Sequence, residues 1–427
     1  MPDFTDQGVH DFLVGLLTLS IIGWVLYLLI QRLKRTRPDL AIGIPVAVAL
    51  FARVLAAIAV SSTGAASTLR GGDEQYFLQQ SHLFLHYSFF GSQWTDALTS
   101  NLYEWVFAVQ LKAFDSPDLV LRITQAGIAV TGVALLATAA YQLAGRRAGL
   151  ITAWLLALEP SNIFFSTLLH KEPNLMLAAG LVAFGGACMW KSARLLYLWP
   201  ITIGCLIAVA TRPYAGWFLI AAGAAIVLHA GIRTRTQAGR SLTLVALVVM
   251  LGAISAPTIW EASTHKSLQK NLQASQTANA GDNSNLGLEE VDFSTRQAIV
   301  VNLPKRIGDV LTRPYPWQLD NASQRLGLLG TVFAFVVLVL LVYELLSARG
   351  KIMDRAGPFV YLALFTLIAY SLSAGNAGTA FRYRTHVVAL AVCLLVVLRQ
   401  LRTQPAPAPA EPPGDQVPAP IPSLARA

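Results

Sequence analysis

The sequence is poor in charge for its size. Of its 427 residues, 13% are charged and 55% are hydrophobic, whereas a soluble domain carries about 25% charged and about 45–50% apolar residues. So few charges do not cover the surface of a soluble chain of this length. This excludes a cytosolic globular enzyme, a disordered protein and a nucleic-acid-binding protein. A membrane environment then has to explain the net charge of +9.

Cysteine is equally scarce. Cys188, Cys205 and Cys393 each lie in an apolar run, and they form no Cys-x-x-Cys pair. The sequence therefore offers neither a disulfide framework nor a zinc site. We expect small apolar core residues at these three positions.

What the chain has in abundance is long apolar stretches. A hydrocarbon core about 30 Å thick takes about 20 apolar residues per helix. Eleven stretches reach or approach that length, at 12–31, 41–61, 121–142, 148–168, 173–190, 195–211, 215–231, 241–257, 326–347, 357–373 and 387–401. The predicted fold class is an all-α polytopic membrane protein with about eleven transmembrane helices.

Basic residues recur in every second connection between these stretches, beginning with the four that follow the first stretch. Because short cytoplasmic loops carry the excess of Lys and Arg, the N-terminus is predicted outside and the C-terminus in the cytoplasm, across what we expect to be a bacterial plasma membrane. The long loops 62–120 and 258–325 then lie outside. The Pro/Ala-rich tail, 402–427, is predicted to be a disordered cytoplasmic segment.

The first long outer loop opens with two adjacent carboxylates, Asp73 and Glu74, directly after two glycines that we expect to form a tight turn. The aromatic and leucine-rich residues that follow, Tyr76 among them, suit a short helix in the membrane interface. A carboxylate at this surface is well placed to deprotonate a hydroxyl group. The alternative is an ordinary solvated acid in a loop.

Arginines on the outer face run against the positive-inside rule. Arg212 lies in a very short turn, Arg382 and Arg384 flank Tyr383 before the last stretch, and Arg313 closes the second long loop. Arginine recognises phosphate through a planar, two-pronged set of donors. We expect Arg382 and Arg384 to bind one phosphate, which requires an extended segment there. Anchoring to lipid headgroups is the alternative.

Three further sites carry charge in or near the membrane. Lys171 and Glu172 share a short outer turn, where they offer a cation for a lipid phosphate and a carboxylate for a sugar hydroxyl, or simply pair with each other. Arg53 and Glu159 lie inside apolar stretches. Charges at that depth face the protein interior, and we expect a structural pair between packed helices.

The order of these motifs resembles the GT-C class of integral-membrane glycosyltransferases. The motifs are Gly-Gly-Asp-Glu-Gln-Tyr-Phe, a short Lys-Glu turn, Arg-Pro-Tyr, a long loop ending in Arg-Pro-Tyr-Pro-Trp, and a late Phe-Arg-Tyr-Arg. The sequence is similar in particular to bacterial glycosyltransferase-39-like proteins, relatives of protein O-mannosyltransferases and lipid A aminoarabinose transferases. The likeness covers most of 41–401 and leaves 1–40 as an extra span with its basic loop.

The resemblance implies a GT-C-like fold, a polyprenyl-phosphate sugar donor and an acceptor on the outer side, which is a glycan, a lipid or a protein. It implies an inverting transfer with an acidic base in the first outer loop. Because a monophosphate leaving group does not demand a metal, we expect no metal and no cofactor. The predicted roles are as follows: Asp73 and Glu74 for catalysis, Arg382, Arg384, Arg212 and Lys171 for the donor phosphate, and Glu172, Tyr76, Arg313 and Tyr383 for substrate contact.

Two other functions remain open from the sequence. The long polar loop 258–325 also fits a polysaccharide polymerase or ligase that uses lipid-diphosphate glycans. A non-enzymatic lipid or glycan transporter would instead separate Asp73 from Arg382 and hold a polar cavity around Arg53 and Glu159, because transporters bind near the membrane midplane.

Overall fold

The structure, a computed structural model, is mainly helical in the part of the chain that it describes, and no strand occurs there. That part comprises residues 6–63, 67–88, 91–115, 117–234, 236–264, 270, 272–274, 288–315, 317, 325, 327–348 and 352–403. The predicted tail beyond residue 403 and most of 265–287 in the second long loop lie outside these ranges.

Apart from the long connections 265–295 and 313–327, the helices follow one another with short connections. In chain order they are α1 (Asp6–Arg35), α2 (Gly43–Thr63), α3 (Ser67–Phe84), α4 (Ser92–Ser100), α5 (Leu102–Phe114), α6 (Asp118–Leu158), α7 (Pro160–Phe165), α8 (Glu172–Ser192), α9 (Leu198–Thr211), α10 (Pro213–Arg233), α11 (Gln237–Thr264), α12 (Arg296–Thr312), α13 (Leu328–Ser347), α14 (Ile352–Ser373) and α15 (Ala377–Thr403). The polytopic helical class predicted from the sequence is confirmed.

Among the described residues, eight helices are long and apolar enough to cross a membrane: α1, α2, α6, α8, α10, α13, α14 and α15. Two shorter apolar segments, Leu195–Thr211 and Gln237–Gly252, fall below that length. The fold is therefore that of a multi-pass membrane protein, and the total of eleven spans stays a prediction.

Helix α6 turns back on itself at Gly145. This residue has φ 84° and ψ −173°, a conformation that glycine adopts without the steric penalty of a side chain. A Cβ atom on Gly149 would lie 2.7 Å from Cβ of Tyr141 and 3.1 Å from the carbonyl oxygen of Ala137. Twelve residues of straight helix span about 18 Å, so the contact with Ala137 requires the chain to reverse. The predicted stretches 121–142 and 148–168 thus belong to one helical hairpin.

The second arm of this hairpin ends earlier than the sequence predicts. A continuous apolar helix over 148–168 is wrong, because Glu159 leaves the helical conformation, with φ −65° and ψ 115°. Pro160 follows it, and a proline disfavours helical geometry in the residue before it. Glu159 then caps α7, where its carboxylate accepts hydrogen bonds from the backbone N–H groups of Ser161 and Asn162.

The core is formed by α6, α8 and α15. Almost all of α15 is buried, whereas α1 exposes large apolar side chains such as Phe12 and Trp24, as expected for a helix in contact with lipid. Small residues bring α6 and α8 close together. A Cβ atom on Gly132 would lie 2.6 Å from the carbonyl oxygen of Met176, and one on Gly180 would lie 2.7 Å from that of Gly132. Such close backbone approach is typical of packed membrane helices.

The three cysteines are buried and free. Their predicted role as small apolar core residues is confirmed, since all three are among the buried hydrophobic residues, Cys188 in α8, Cys205 in α9 and Cys393 in α15.

Candidate functional site

Charged side chains meet at one end of the bundle, where α8, α10 and α15 begin and α9 and α14 end. We call Asp73, Glu172, Arg212 and Arg382 the four-charge cluster. They come from α3, the start of α8, the α9–α10 turn and the second turn of α15. The charge pattern of the sequence predicts that this end faces outward. The structure therefore brings together residues that lie more than 300 positions apart in the chain.

Short contacts join the cluster in a chain. Nη1 of Arg382 donates to Oδ2 of Asp73 at 2.8 Å, and Nη2 of Arg212 donates to Oε1 of Glu172 at 2.9 Å. Nε of Arg382 also lies 3.1 Å from the same Oε1 atom. Glu172 therefore sits between the two arginines, and its charge offsets the repulsion between them.

Solvent accessibility divides the cluster into an exposed rim, formed by Asp73, and a buried floor, formed by Glu172, Arg212 and Arg382. The side chain of Asp73 is 55% exposed, whereas those of Arg382, Arg212 and Glu172 are 13%, 9% and 3% exposed. Burial alone would raise the pKa of Asp73, but the charge and the hydrogen bond of Arg382 outweigh it and hold that pKa below its ordinary value. Asp73 is thus an ionised carboxylate at the mouth of a buried cationic site.

Buried hydrogen-bonding atoms around Glu172 have no partner among the described residues. They include Nη1 of Arg212, the hydroxyl group of Tyr103 and Oε2 of Glu172. Tyr103 is 2% exposed and interacts electrostatically with both Glu172 and Arg212. Burial and the nearby carboxylates raise its pKa well above the ordinary value, so its hydroxyl keeps the proton that it can donate. Each unsatisfied buried group costs about 1–3 kcal/mol, which a ligand carrying both acceptors and a donor would recover.

Aromatic residues hold the floor of the site in place. The guanidinium group of Arg212 lies 4.7 Å from the ring centroid of Tyr383, which stacks on Tyr370 at 4.5 Å. His386 Nε2 bonds to the backbone carbonyl oxygen of Glu172 at 2.9 Å, and its Nδ1 bonds to the Tyr370 hydroxyl at 3.1 Å. Since only an N–H can bond to a carbonyl oxygen, Nε2 carries the proton and Nδ1 accepts from Tyr370.

Arg384 lies apart from this cluster, contrary to prediction. The segment expected to be extended is the start of α15, where Asn376 Oδ1 accepts from the backbone N–H of Thr379 at 2.7 Å. Residues two apart on a helix point about 200° apart, so Arg382 and Arg384 cannot face one phosphate. Arg384 is 1% exposed, and its guanidinium donates to the carbonyl oxygen of Arg313 and to Thr331. The predicted extended segment, with both arginines on one phosphate, is wrong.

Glu74 is not available as a base either. Gly71 and Gly72 lie within α3 rather than in a turn, so the carboxylates of Asp73 and Glu74 diverge by about 100°. Glu74 is 4% exposed, and its carboxylate accepts hydrogen bonds from both Nη groups of Arg122. Burial alone would raise the pKa of Glu74. The hydrogen bond and the charge of Arg122 have the larger opposite effect, so the pKa is lowered overall. Its side chain docks α3 onto α6.

Lys171 and Glu172 do not pair with each other. Nζ of Lys171 lies 3.4 Å from Oε1 of Glu104 and 4.8 Å from the ring centroid of Phe77. This cation is thereby tied to α3 and α5, beside the cluster but outside it. Among the described contacts, its predicted part in phosphate binding has no geometric support.

The other predicted residues take peripheral positions. Tyr76 is 51% exposed on α3, and Nε of Arg313 donates to Oδ1 of Asp309 at 3.0 Å. Arg53 donates to Asn162 Oδ1 at 2.7 Å, and Glu159 caps the same short helix. The predicted direct ion pair between Arg53 and Glu159 is therefore replaced by a shared partner, Asn162.

Sequence reasoning missed several residues of the site. They are Glu104, Tyr103, Arg122, Tyr370 and His386. Arg122 and His386 carry a readable signal, since each is a polar side chain within the first turns of an apolar helix. Tyr103 and Glu104 carry none, because nothing in the sequence of a long outer loop indicates which side chains fold inward.

Within the described ranges, no group of three or more His, Cys, Asp and Glu side chains is arranged to hold a metal ion. No family model, curated protein or solved structure matches the chain. The class that the structure defines is a multi-pass helical membrane protein with a buried, arginine-containing site at one end. The likeness to GT-C glycosyltransferases remains a hypothesis from the sequence.

Proposed function

We propose that the protein transfers a sugar from a polyprenyl-phosphate donor to an acceptor at the outer face of a bacterial plasma membrane, through an inverting displacement on a GT-C-like fold. The N-terminus then lies outside and the C-terminus in the cytoplasm. The four-charge cluster carries this proposal, because it sets an ionised, accessible carboxylate beside two buried arginines.

The floor of the cluster suits a sugar phosphate. Nη1 of Arg212 and the hydroxyl of Tyr103 are buried donors without a partner among the described residues, and Oε2 of Glu172 is a buried acceptor in the same state. A phosphate supplies acceptor oxygens and a sugar supplies hydroxyl donors. Fixed donors aimed at a leaving phosphate stabilise the charge that develops as the glycosidic bond breaks.

Asp73 serves as the base at the rim. It removes the proton of the acceptor hydroxyl as the oxygen attacks the anomeric carbon, and the electron pair of the breaking bond leaves on the lipid phosphate. A positioned general base contributes about 10²–10⁴-fold to a rate. Glu172 positions Arg212 and Arg382 and offers its second oxygen to the sugar.

Of the alternatives, transport is disfavoured by the 2.8 Å contact between Asp73 and Arg382, since that hypothesis separates the two residues. The polymerase or ligase hypothesis depends on the loop 258–325, much of which lies outside the described residues. It shares the need for arginines at the outer face.

Release of free polyprenyl phosphate tests the proposal for any sugar. The purified chain in nanodiscs would be given polyprenyl-phosphate glucose, galactose, mannose or aminoarabinose, together with a lipid and glycan extract as acceptor. We expect at least one donor to release lipid phosphate. Asp73→Asn should slow that release about 100-fold or more.

The matched control is Asp118→Asn, which removes one exposed carboxylate from the same end of the bundle and should leave the rate unchanged. Equal rates for wild type and Asp73→Asn would contradict the assigned base. Absence of release with every donor would contradict the proposed function for these sugars.

A further inference from the structure

The four-charge cluster is electrically balanced without a ligand. It holds two carboxylates and two guanidinium groups joined by contacts of 2.8 to 3.1 Å. The neighbouring pairs, Glu74 with Arg122 and Lys171 with Glu104, are balanced as well. A phosphate entering this site meets little net positive charge, and like charges in a buried site are poorly screened. One carboxylate has to withdraw from the arginines to make room.

Asp73 is the carboxylate that is free to withdraw. Its side chain is 55% exposed, whereas that of Glu172 is 3% exposed. Asp73 contacts Arg382 through one oxygen atom, Oδ2, while Glu172 lies between two arginines at the helix start. Moving Asp73 to water breaks its hydrogen bond with Arg382, but moving Glu172 would take the paired carboxylate from buried Arg212 and leave Arg382 with Asp73 alone.

The proposed reaction also requires this separation. In an inverting displacement, the attacking and leaving oxygens lie on opposite sides of the anomeric carbon. A base that holds the attacking hydroxyl therefore cannot stay on the guanidinium group that holds the leaving phosphate. The proposed reaction therefore needs the contact between Asp73 and Arg382 to break.

We propose that Asp73 occupies the phosphate position on Arg382 in the free protein, and that the donor phosphate displaces it, so that the base is released only when the donor is bound. This inference rests on the proposed function and adds an order to it. The donor binds first, and the acceptor is activated second. A base held on Arg382 until then does not activate water in the empty site.

The exchange also makes Asp73 a stronger base once the donor phosphate has taken its place on Arg382. Arg382 holds the pKa of Asp73 below its ordinary value in the free protein. Loss of that partner, together with the nearby negative phosphate, raises the pKa and so increases the affinity of the carboxylate for a proton.

Equilibrium binding of undecaprenyl phosphate, the lipid product of the proposed reaction, tests the exchange without turnover. The full chain in phosphatidylcholine nanodiscs would be titrated as wild type, Asp73→Asn, Asp73→Glu and Asp118→Asn. Because Asp73 competes with the ligand, Asp73→Asn should bind roughly two- to fivefold more tightly than wild type, the range expected for a partly exposed ion pair. Asp73→Glu should restore the wild-type affinity, and Asp118→Asn should leave it unchanged.

Arg382→Gln provides the second half of a double-mutant cycle. It should weaken binding of undecaprenyl phosphate. The double variant with Asp73→Asn should bind no more tightly than Arg382→Gln alone. If Asp73→Asn binds no more tightly than wild type, or if Asp118→Asn gains as much, then Asp73 does not compete and the inference is overturned while the proposed function stands. If wild type does not bind the lipid phosphate, the proposed function fails and the inference fails with it.

Discussion

At the residue scale, the site depends on which side chains have partners. Asp73 and Arg382 could be predicted from the sequence, because an acid after an apolar stretch and an arginine on the outer face both stand out from their surroundings. The separation of Arg384 from Arg382 could not, since it depends on α15 beginning at Ala377, well before the apolar stretch at 387–401. Tyr103 could not be predicted either, because it stands out only through a buried hydroxyl group that has no partner among the described residues.

Replacing that hydroxyl should weaken ligand binding without unfolding the protein. Tyr103→Phe removes a buried donor that lacks a partner among the described residues, so no hydrogen bond within that part of the chain is lost. The bound state loses a hydrogen bond to a charged oxygen, which is worth about 1.5–3 kcal/mol. We expect undecaprenyl phosphate to bind about tenfold or more weakly, with an unchanged thermal midpoint.

Tyr27→Phe is the control for this prediction, since Tyr27 is 58% exposed on α1 and should tolerate the change. Unchanged affinity in Tyr103→Phe would remove the hydroxyl from the proposed ligand contacts.

At the element scale, the lengths of the apolar stretches predict membrane-spanning helices, whereas the points at which a helix breaks depend on single residues. The break at Glu159-Pro160 is readable, because proline disfavours helical geometry in the residue before it. The reversal at Gly145 is visible in the sequence only as one glycine before two arginines. The docking of α3 onto α6 depends on Glu74 and Arg122, which are 48 positions apart.

Gly145→Ala should destabilise the α6 hairpin. No atom lies within 4 Å of a Cβ at this position, so the penalty comes from the positive φ of 84° and not from a clash. Backbone strain of this kind costs about 1–3 kcal/mol. Thermal unfolding in detergent should show a lower midpoint for Gly145→Ala. Gly23→Ala, which also has open space around it and lies within α1, should not lower it.

Acid should release α3 from α6. Because the folded-state pKa of Glu74 is depressed below its ordinary value of 4.5, the stabilisation from its pair with Arg122 is complete above about that pH. It is lost as the pH falls through the folded-state value. The hydrogen-exchange protection factors of α3, which compare each exchange rate with that of an unprotected amide at the same pH, should therefore fall below pH 4.5, ahead of those of α8.

Arg122→Gln should abolish this acid-induced loss of protection, because Glu74 then lacks the partner that depresses its pKa and burial favours the protonated carboxyl group. Protection factors in α3 that stay constant through this pH range in wild type would show that Glu74 does not dock this helix.

At the scale of the whole molecule, the alternation of basic loops predicts that all the site residues lie on the same side of the membrane. The structure places Asp73, Glu172, Arg212 and Arg382 together at one end of the bundle. A second polar group, with Trp190 and Arg233 around Asp354, lies at the other end. Such grouping is predictable because helix order fixes which loops share a side. The packing of the loops onto one another is not, because it depends on long-range side-chain contacts.

The predicted orientation can be measured by labelling new cysteines, since the three native ones are buried. Ser88 is exposed beside α3, and Lys191 is exposed at the opposite end of α8. In intact cells, a membrane-impermeant maleimide should label Ser88→Cys, and it should label Lys191→Cys only after the membrane is permeabilised. The reverse pattern would place the four-charge cluster in the cytoplasm.

The most direct test of the central claim is the composition of surface glycans in a strain that lacks this gene. The strain would be complemented with wild type, Asp73→Asn or Asp118→Asn at equal membrane abundance. The proposed transferase predicts that one sugar or decoration is missing from the deletion strain, returns with wild type and with Asp118→Asn, and stays missing with Asp73→Asn. Full restoration by Asp73→Asn would contradict the account, because the carboxylate assigned as the base would then be dispensable.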